Sequence, residues 1–129
     1  MIVDASALLA ILFDEPEAEQ FAALLAQAEA PRMSAVNYLE AAIRIDQQDS
    51  VVATQAFDAF IELSGIAIEP VTVEHTRLAR RAYAMFGKGR HRAGLNFGDV
   101  FAYALAKSRQ EPLLYKGNDF VHTDVTGAA

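Results

Sequence analysis

The sequence predicts a three-layer α/β/α domain with a mostly parallel central sheet, and three observations support that reading. Short apolar segments of strand length alternate with longer segments of helical periodicity along the whole chain. No internal repeat, low-complexity tract or linker interrupts the alternation, so residues 1–129 read as one domain. At 129 residues with 53% hydrophobic and 22% charged content, the chain can bury a core without staples.

Met1-Ile2-Val3 is a buried strand stopped by Asp4, and Ser6 to Leu12 is a brief apolar helix behind it. Asp14-Glu15-Pro16-Glu17 puts proline and acids in a first helical turn, with Phe21, Leu24, Leu25 and Ala28 as the apolar face and Pro31 ending the connection. Arg32-Met33-Ser34 is a short strand, after which Val36, Leu39 and Ile43 recur at helical spacing. A helix from Ser50 carries Val52, Ala56, Phe60 and Leu63 on one face and stops at Gly65. Ile66 to Val71 is strand-like, and Thr72 to Phe86 is helical through Leu78, Ala79, Ala82 and Phe86. Residues 87–95 are irregular and exposed, Asn96-Phe97-Gly98-Asp99 opens a helix through Lys107, Pro112 to Tyr115 is a strand, and Val121 to Val125 adds a short edge strand. Helix dominates. Ligands of such sheets sit beyond the carboxyl ends of the strands where the order reverses, and Asp4 and Asp119 both follow a strand.

The absence of cysteine excludes disulfides and thiolate metal sites, leaving oxygen or imidazole as the only metal ligands. No apolar run approaches the roughly 18 residues of a membrane span, and no basic region precedes an apolar one at the amino terminus. The expectation is a cytoplasmic protein. A formal net charge of −6 argues against a nucleic-acid partner, but the charge is segregated. Residues 1–69 carry twelve Asp and Glu against Arg32 and Arg44, whereas residues 75–98 carry Arg77, Arg80, Arg81, Lys88, Arg90 and Arg92 with no acid. A basic stripe on an acidic protein still meets a polyanion locally.

Each acid has a plain structural use beside a chemical one. Asp4 is placed to cap the following helix, and Asp99, three residues beyond Asn96, to complete a capping box. Glu40 falls alongside Val36, Leu39 and Ile43 on a helical wheel, where a buried carboxylate needs a partner and an edge position needs none. Asp119 sits in ordinary turn composition. Gathering such carboxylates costs about 1 kcal/mol per pair at 4 Å in water and about 4 at an effective dielectric near 20. Lys107, Arg109 and Lys116 are the cations close in sequence, and none has an obvious route to the acids. A hard divalent cation with oxygen ligands meets that demand, and it suits phosphodiester hydrolysis.

With those residues in view, the chain resembles the PIN-domain toxins of the VapC family. The likeness runs through Asp4-Ala5-Ser6-Ala7-Leu8 after an apolar strand, Glu40 on a helix, Leu95-Asn96-Phe97-Gly98-Asp99 leading into Phe101 to Ala106, and Pro112 through Lys116-Gly117-Asn118-Asp119-Phe120. It implies a PIN-like α/β/α fold and an endoribonuclease toxin of a type II toxin–antitoxin system, using magnesium or manganese. It also implies a homodimer silenced by a cognate VapB-type antitoxin. Carried over, Asp4 and Asp99 are the metal ligands, Glu40 completes the catalytic triad, Asp119 is a further catalytic acid, and Ser6 bonds a neighbouring carboxylate or a water. Arg90 and Arg92 are candidate RNA contacts, or members of a solvated loop. Gly117 stands where many relatives carry an acid. A non-catalytic interaction module on the same fold is the alternative from another class, and fold alone does not exclude it. An aspartate-phosphoryl enzyme or receiver domain fits less well, because Asp4-Ala5-Ser6 lacks the second acid two residues on and the amino terminus lacks an adjacent acidic pair.

Overall fold

A computed structural model describes residues 1–129. The elements run β1 (Ile2–Val3), α1 (Ala5–Leu12), α2 (Ala18–Gln27), β2 (Arg32–Ser34), α3 (Ala35–Asp46), α4 (Val51–Ser64), β3 (Ala67–Glu69), α5 (Val73–Phe86), α6 (Phe97–Arg109) and β4 (Leu113–Leu114), then a 3-10 turn at Phe120–His122. Side-chain oxygens start most of the helices. Asp4, Ser34, Ser50, Thr72 and Asn96 each accept from a first-turn backbone N–H of α1, α3, α4, α5 and α6, satisfying groups that have no partner within the helix. Gly65 ends α4 at φ 73°, a left-handed conformation that glycine adopts without penalty.

The four strands form one parallel sheet in the order β3-β2-β1-β4. Its two faces carry separate apolar cores, as the alternation of side chains along a strand requires. Ile2 and Leu113 pack on one face with α5 and α6. Val3, Met33 and Leu114 pack on the other with α1 to α4. The chain moves outward from β1 to β2 and β3, then returns to place β4 on the opposite side of β1. The strand order therefore reverses between β1 and β4, and a crevice opens beyond their carboxyl ends. Asp4 is the first residue past β1, and Lys116 to Asp119 follow β4.

The layered parallel fold agrees with the sequence reading, while several local assignments are corrected. Helix α2 begins at Ala18, so Asp14 to Glu17 precede it. On α3 the buried residues are Asn37, Ala41 and Ile45, with Leu39 and Ile43 facing outward. On α4 the buried residue is Phe57, tilted against Tyr38 at 5.7 Å, whereas Val52 and Leu63 are 77% and 86% exposed. Both errors have one cause: these helices carry more apolar residues than they bury, so periodicity did not select the inward face. Residues 87–95 are irregular but not wholly exposed, because Gly87 bridges to Leu95, and Ala93 and Leu95 are buried. No strand forms over Val121 to Val125. The 3-10 turn occupies its start, and Gly127 makes the bridge to Leu113.

Phe57→Ala is expected to cost about 3–5 kcal/mol in denaturant-induced unfolding. Val52→Ala and Leu63→Ala are expected to stay within about 0.5 kcal/mol. Equal losses at all three positions would contradict the assigned face of α4.

Candidate active site

Asp4 is buried, and its two carboxylate oxygens have different surroundings. Oδ2 accepts from the Ser6 backbone N–H at 3.0 Å and from the Ser6 hydroxyl at 2.6 Å. Oδ1 is buried with no partner. The Ser6 oxygen in turn accepts from the Lys116 N–H at 3.0 Å, so the segment after β4 is tied to the segment after β1. Burial pushes the Asp4 carboxyl up to about 7, against the lowering effect of the Ser6 bonds, with Asp99 and Glu40 adding repulsion.

Glu40 is half-buried on α3, one helical turn beyond Asn37. The Asn37 amide donates to Glu40 Oε1 at 3.2 Å and to the Gly98 carbonyl at 2.9 Å, joining α3 to the first turn of α6. A Cβ at Gly98 would lie 2.2 Å from Glu40 Oε2, so any side chain there makes the Glu40 carboxylate move. Only a residue without a side chain allows this carboxylate to rest on the start of α6.

Asn96 and Asp99 form a reciprocal capping box: the Asp99 N–H donates to Asn96 Oδ1 at 2.9 Å and the Asn96 N–H donates to Asp99 Oδ2 at 3.0 Å. Asp99 Oδ1 is left without a protein donor. Desolvation pushes the Asp99 carboxyl up to about 6, with Asp119 and Glu40 adding repulsion. Asp119 is exposed at the start of the 3-10 turn and makes no capping bond. Gly117 has φ 104°, a conformation in which an acidic side chain would be strained.

These groups line one cleft of about 560 Å³ that includes Asp4, Glu15, Glu40, Asp99 and Asp119 against Arg44 and Lys116. The expectation that no cation reaches the acids is thus corrected, although Lys116 is engaged by Glu15 at the cleft and by Glu17 rather than by Asp4, Glu40, Asp99 or Asp119. Its ammonium bonds Glu15 at 2.9 Å and Glu17 at 3.1 Å, which raises its pKa. Lys107 and Arg109 pair with Asp124 and Glu69, away from the cleft. The carboxylates do not close into a preformed three-ligand cage. They do supply what a hard cation needs, namely an orphaned buried oxygen on Asp4 and a free oxygen on Asp99, in a cleft with excess negative charge.

Asp4, Ser6, Glu40, Asp99 and Asp119 therefore come together, and Arg90 and Arg92 do not. Both arginines are exposed and line no part of the cleft. Sequence reasoning missed Asn37, Arg44 and Gly98. The spacing held a signal for the first two, since Asn37 at i−3 and Arg44 at i+4 share a helical face with Glu40. Nothing in the sequence reveals the contact made by Gly98.

A family model described as PIN domain matches residues 1–125. The chain is 54% identical over 129 residues to Ribonuclease VapC28 of Mycobacterium tuberculosis, covering 99% of this chain and 97% of the relative. It is 45% identical over 125 residues to Ribonuclease VapC of Mycolicibacterium smegmatis, covering 97% of each. Among solved structures, it is similar to Mycobacterium tuberculosis VapC20, described as a Sarcin-Ricin loop cleaving toxin. That match has a TM-score of 0.75 and 18% identity, and it covers 97% of this chain and 95% of the other. A toxin–antitoxin complex from Klebsiella pneumoniae matches with a TM-score of 0.72 and 17% identity, over 95% of this chain and 92% of the other. At those identities the structures show the fold.

The raised Asp4 value has a stability consequence in the metal-free protein. The folded state holds this proton more tightly than the unfolded chain does, so stability falls as pH rises from the unfolded value of 3.8 to the folded value of about 7. Asp4→Asn removes that penalty. It should raise the thermal midpoint at pH 8, by an amount corresponding to at most about 4 kcal/mol, with the gain vanishing at pH 4. An equal effect at both pH values would contradict the desolvation.

Proposed function

The chain belongs to the PIN-domain family, among the VapC ribonucleases, and on that footing we propose that it is a divalent-metal-dependent endoribonuclease, the toxin of a type II toxin–antitoxin pair. The observation that carries the reading is the orphaned, buried Oδ1 of Asp4, on a residue that lines one cleft with Glu40, Asp99 and Asp119. A buried carboxylate oxygen with no donor is costly, and its retention beside three further acids favours a cation-holding site over a binding surface. The named partners are an RNA substrate, a VapB-type antitoxin that blocks the cleft and a second copy of the chain. No helix is long and apolar enough to cross a membrane, which suits the proposed cytoplasmic location.

Asp4 Oδ1 and Asp99 Oδ1 are the oxygens free to hold magnesium or manganese, with Glu40 completing the site. The bound ion would neutralise charge on the scissile phosphate and acidify an attacking water. Ser6 holds Asp4 in place by donating to Oδ2, which leaves Oδ1 without a protein donor. Asn37 holds Glu40 in the same way through Oε1. Asp119 adds negative charge at the mouth, consistent with its repulsive effect on Asp99. Arg90 and Arg92 lie in an acid-free segment suited to the flanking RNA backbone.

Purified protein is expected to cut structured RNA in magnesium and to stop in chelator, and Asp99→Asn should lose activity in single-turnover assays. Cleavage by Asp99→Asn at the wild-type rate would sink the mechanism. Gly98→Ala, which displaces the Glu40 carboxylate while leaving all four acids in the sequence, should slow cleavage by roughly 100-fold with near-native unfolding. Combined Arg90→Ala and Arg92→Ala should weaken RNA binding with little sequence dependence and flatten its salt dependence by roughly 0.7 per lost phosphate contact. An unchanged salt slope would remove both residues from the interface.

A further inference from the structure

A second concavity of about 500 Å³ lies between α5 and the first turns of α6, and it shares Asn96 with the acidic cleft. Its composition is the reverse of the cleft's. Tyr83, Phe97 and Phe101 supply aromatic surface, Arg80 and Lys88 supply charge, and no acid lines it. Phe97 is 73% exposed, with its ring edge-on to Phe101 at 5.1 Å. A phenyl ring held in water at the rim of a groove forgoes burial worth roughly 1.5–3 kcal/mol, which a ligand seated in the groove would recover.

The charges identify that occupant. Arg32, Lys107, Arg109 and Lys116 all form ion pairs, whereas none of the six cations between residues 75 and 98 does. Arg80 also lines the adjoining surface with Arg77 and Arg81, so the groove continues into a track of unpaired positive charge. Aromatic faces beside unpaired cations are the combination that binds single-stranded nucleic acid, with bases stacking on the rings and phosphates meeting the cations. A twofold contact between copies centred on this groove would set like charges against one another.

We infer that the groove between α5 and α6 is a nucleotide subsite, in which Phe97 stacks on an unpaired base of the RNA strand next to the scissile phosphate while Arg80 and Lys88 hold its backbone. The inference rests on the ribonuclease reading and extends it to the substrate: the strand is single-stranded or splayed at the cut. Asn96 links the two compartments. Its Oδ1 caps α6 and its Nδ2 makes no bond to protein, leaving a donor between base and phosphate.

The test is fluorescence anisotropy with a short single-stranded RNA of mixed sequence, in chelator so that the strand stays whole, with sedimentation velocity on each protein. Phe97→Ala should weaken binding by about five- to a hundredfold with unchanged sedimentation. Phe97→Tyr should retain wild-type affinity, as should Leu63→Ala on the exposed face of α4. Wild-type affinity in Phe97→Ala overturns the subsite, and so does a Phe97→Ala protein whose sedimentation shifts, because the groove then belongs to a second copy. Photocrosslinking of wild-type protein to the same RNA carrying 5-iodouridine gives an independent readout. An adduct on the tryptic peptide 93–107 is expected, and adducts confined to other peptides overturn the proposal. Failure of the ribonuclease reading is distinct: wild type would then bind the strand yet leave structured RNAs uncut in magnesium.

Discussion

The structure turns on one electrostatic constraint, the burial of the Asp4 carboxylate at the point where the parallel sheet reverses its strand order. Strands β1 and β4 must lie side by side to open the crevice, and the same adjacency removes water from the first side chain beyond β1. Desolvation then dominates the chemistry of that side chain, moving its proton affinity to the neighbourhood of neutral pH. Ser6 keeps the arrangement from collapsing, because its hydroxyl donates to Asp4 while accepting from Lys116. One short side chain thereby couples both strands to the carboxylate between them.

Capping and chemistry are complementary uses of these acids. Asp4 caps α1 and Asp99 closes the capping box of α6, each with Oδ2, and each retains Oδ1. A carboxylate at a helix amino terminus is held rigidly by backbone donors and favoured by the local dipole, so capping orients the remaining oxygen. Asn37 extends the principle to Glu40, which has no helix start of its own. Its amide nitrogen donates to Glu40 Oε1, which fixes that oxygen, and to the Gly98 carbonyl, which locks α3 onto α6. The three acids are consequently positioned from separate elements whose mutual placement depends on the packing of Gly98.

That mixture explains what could be read in the sequence. Strand-helix alternation and the acids at strand ends and helix starts were legible, because they are local: Met1-Ile2-Val3-Asp4 and Asn96 to Asp99 state their own geometry. Facing was not. The stripes Val36/Leu39/Ile43 and Val52/Ala56/Phe60/Leu63 looked like core, and most of their large members point to solvent because α3 and α4 are apolar around more of their circumference than the sheet can cover. Long-range contacts were likewise hidden. Gly98 against Glu40 spans separate elements, and the positive φ at Gly117 that disfavours an acid is visible only in the backbone. Charge segregation was legible, and its physical sense emerged from the pairing pattern: cations outside residues 75–98 are largely neutralised by partners, and those within are not.

The central claim is that the acids are held together, at an electrostatic cost, to receive a divalent cation. Its most direct test is calorimetric titration of manganese into the metal-free protein, at pH 6 and at pH 8, in two buffers of different ionisation enthalpy. Because Asp4 and Asp99 hold protons up to about 7 and about 6, the cation must displace them. Binding at pH 6 should release about 1.4 protons, release at pH 8 should be close to zero, and Asp4→Asn should abolish the larger part of the pH 6 release. Binding without proton release at pH 6, or no binding at either pH, would contradict the account.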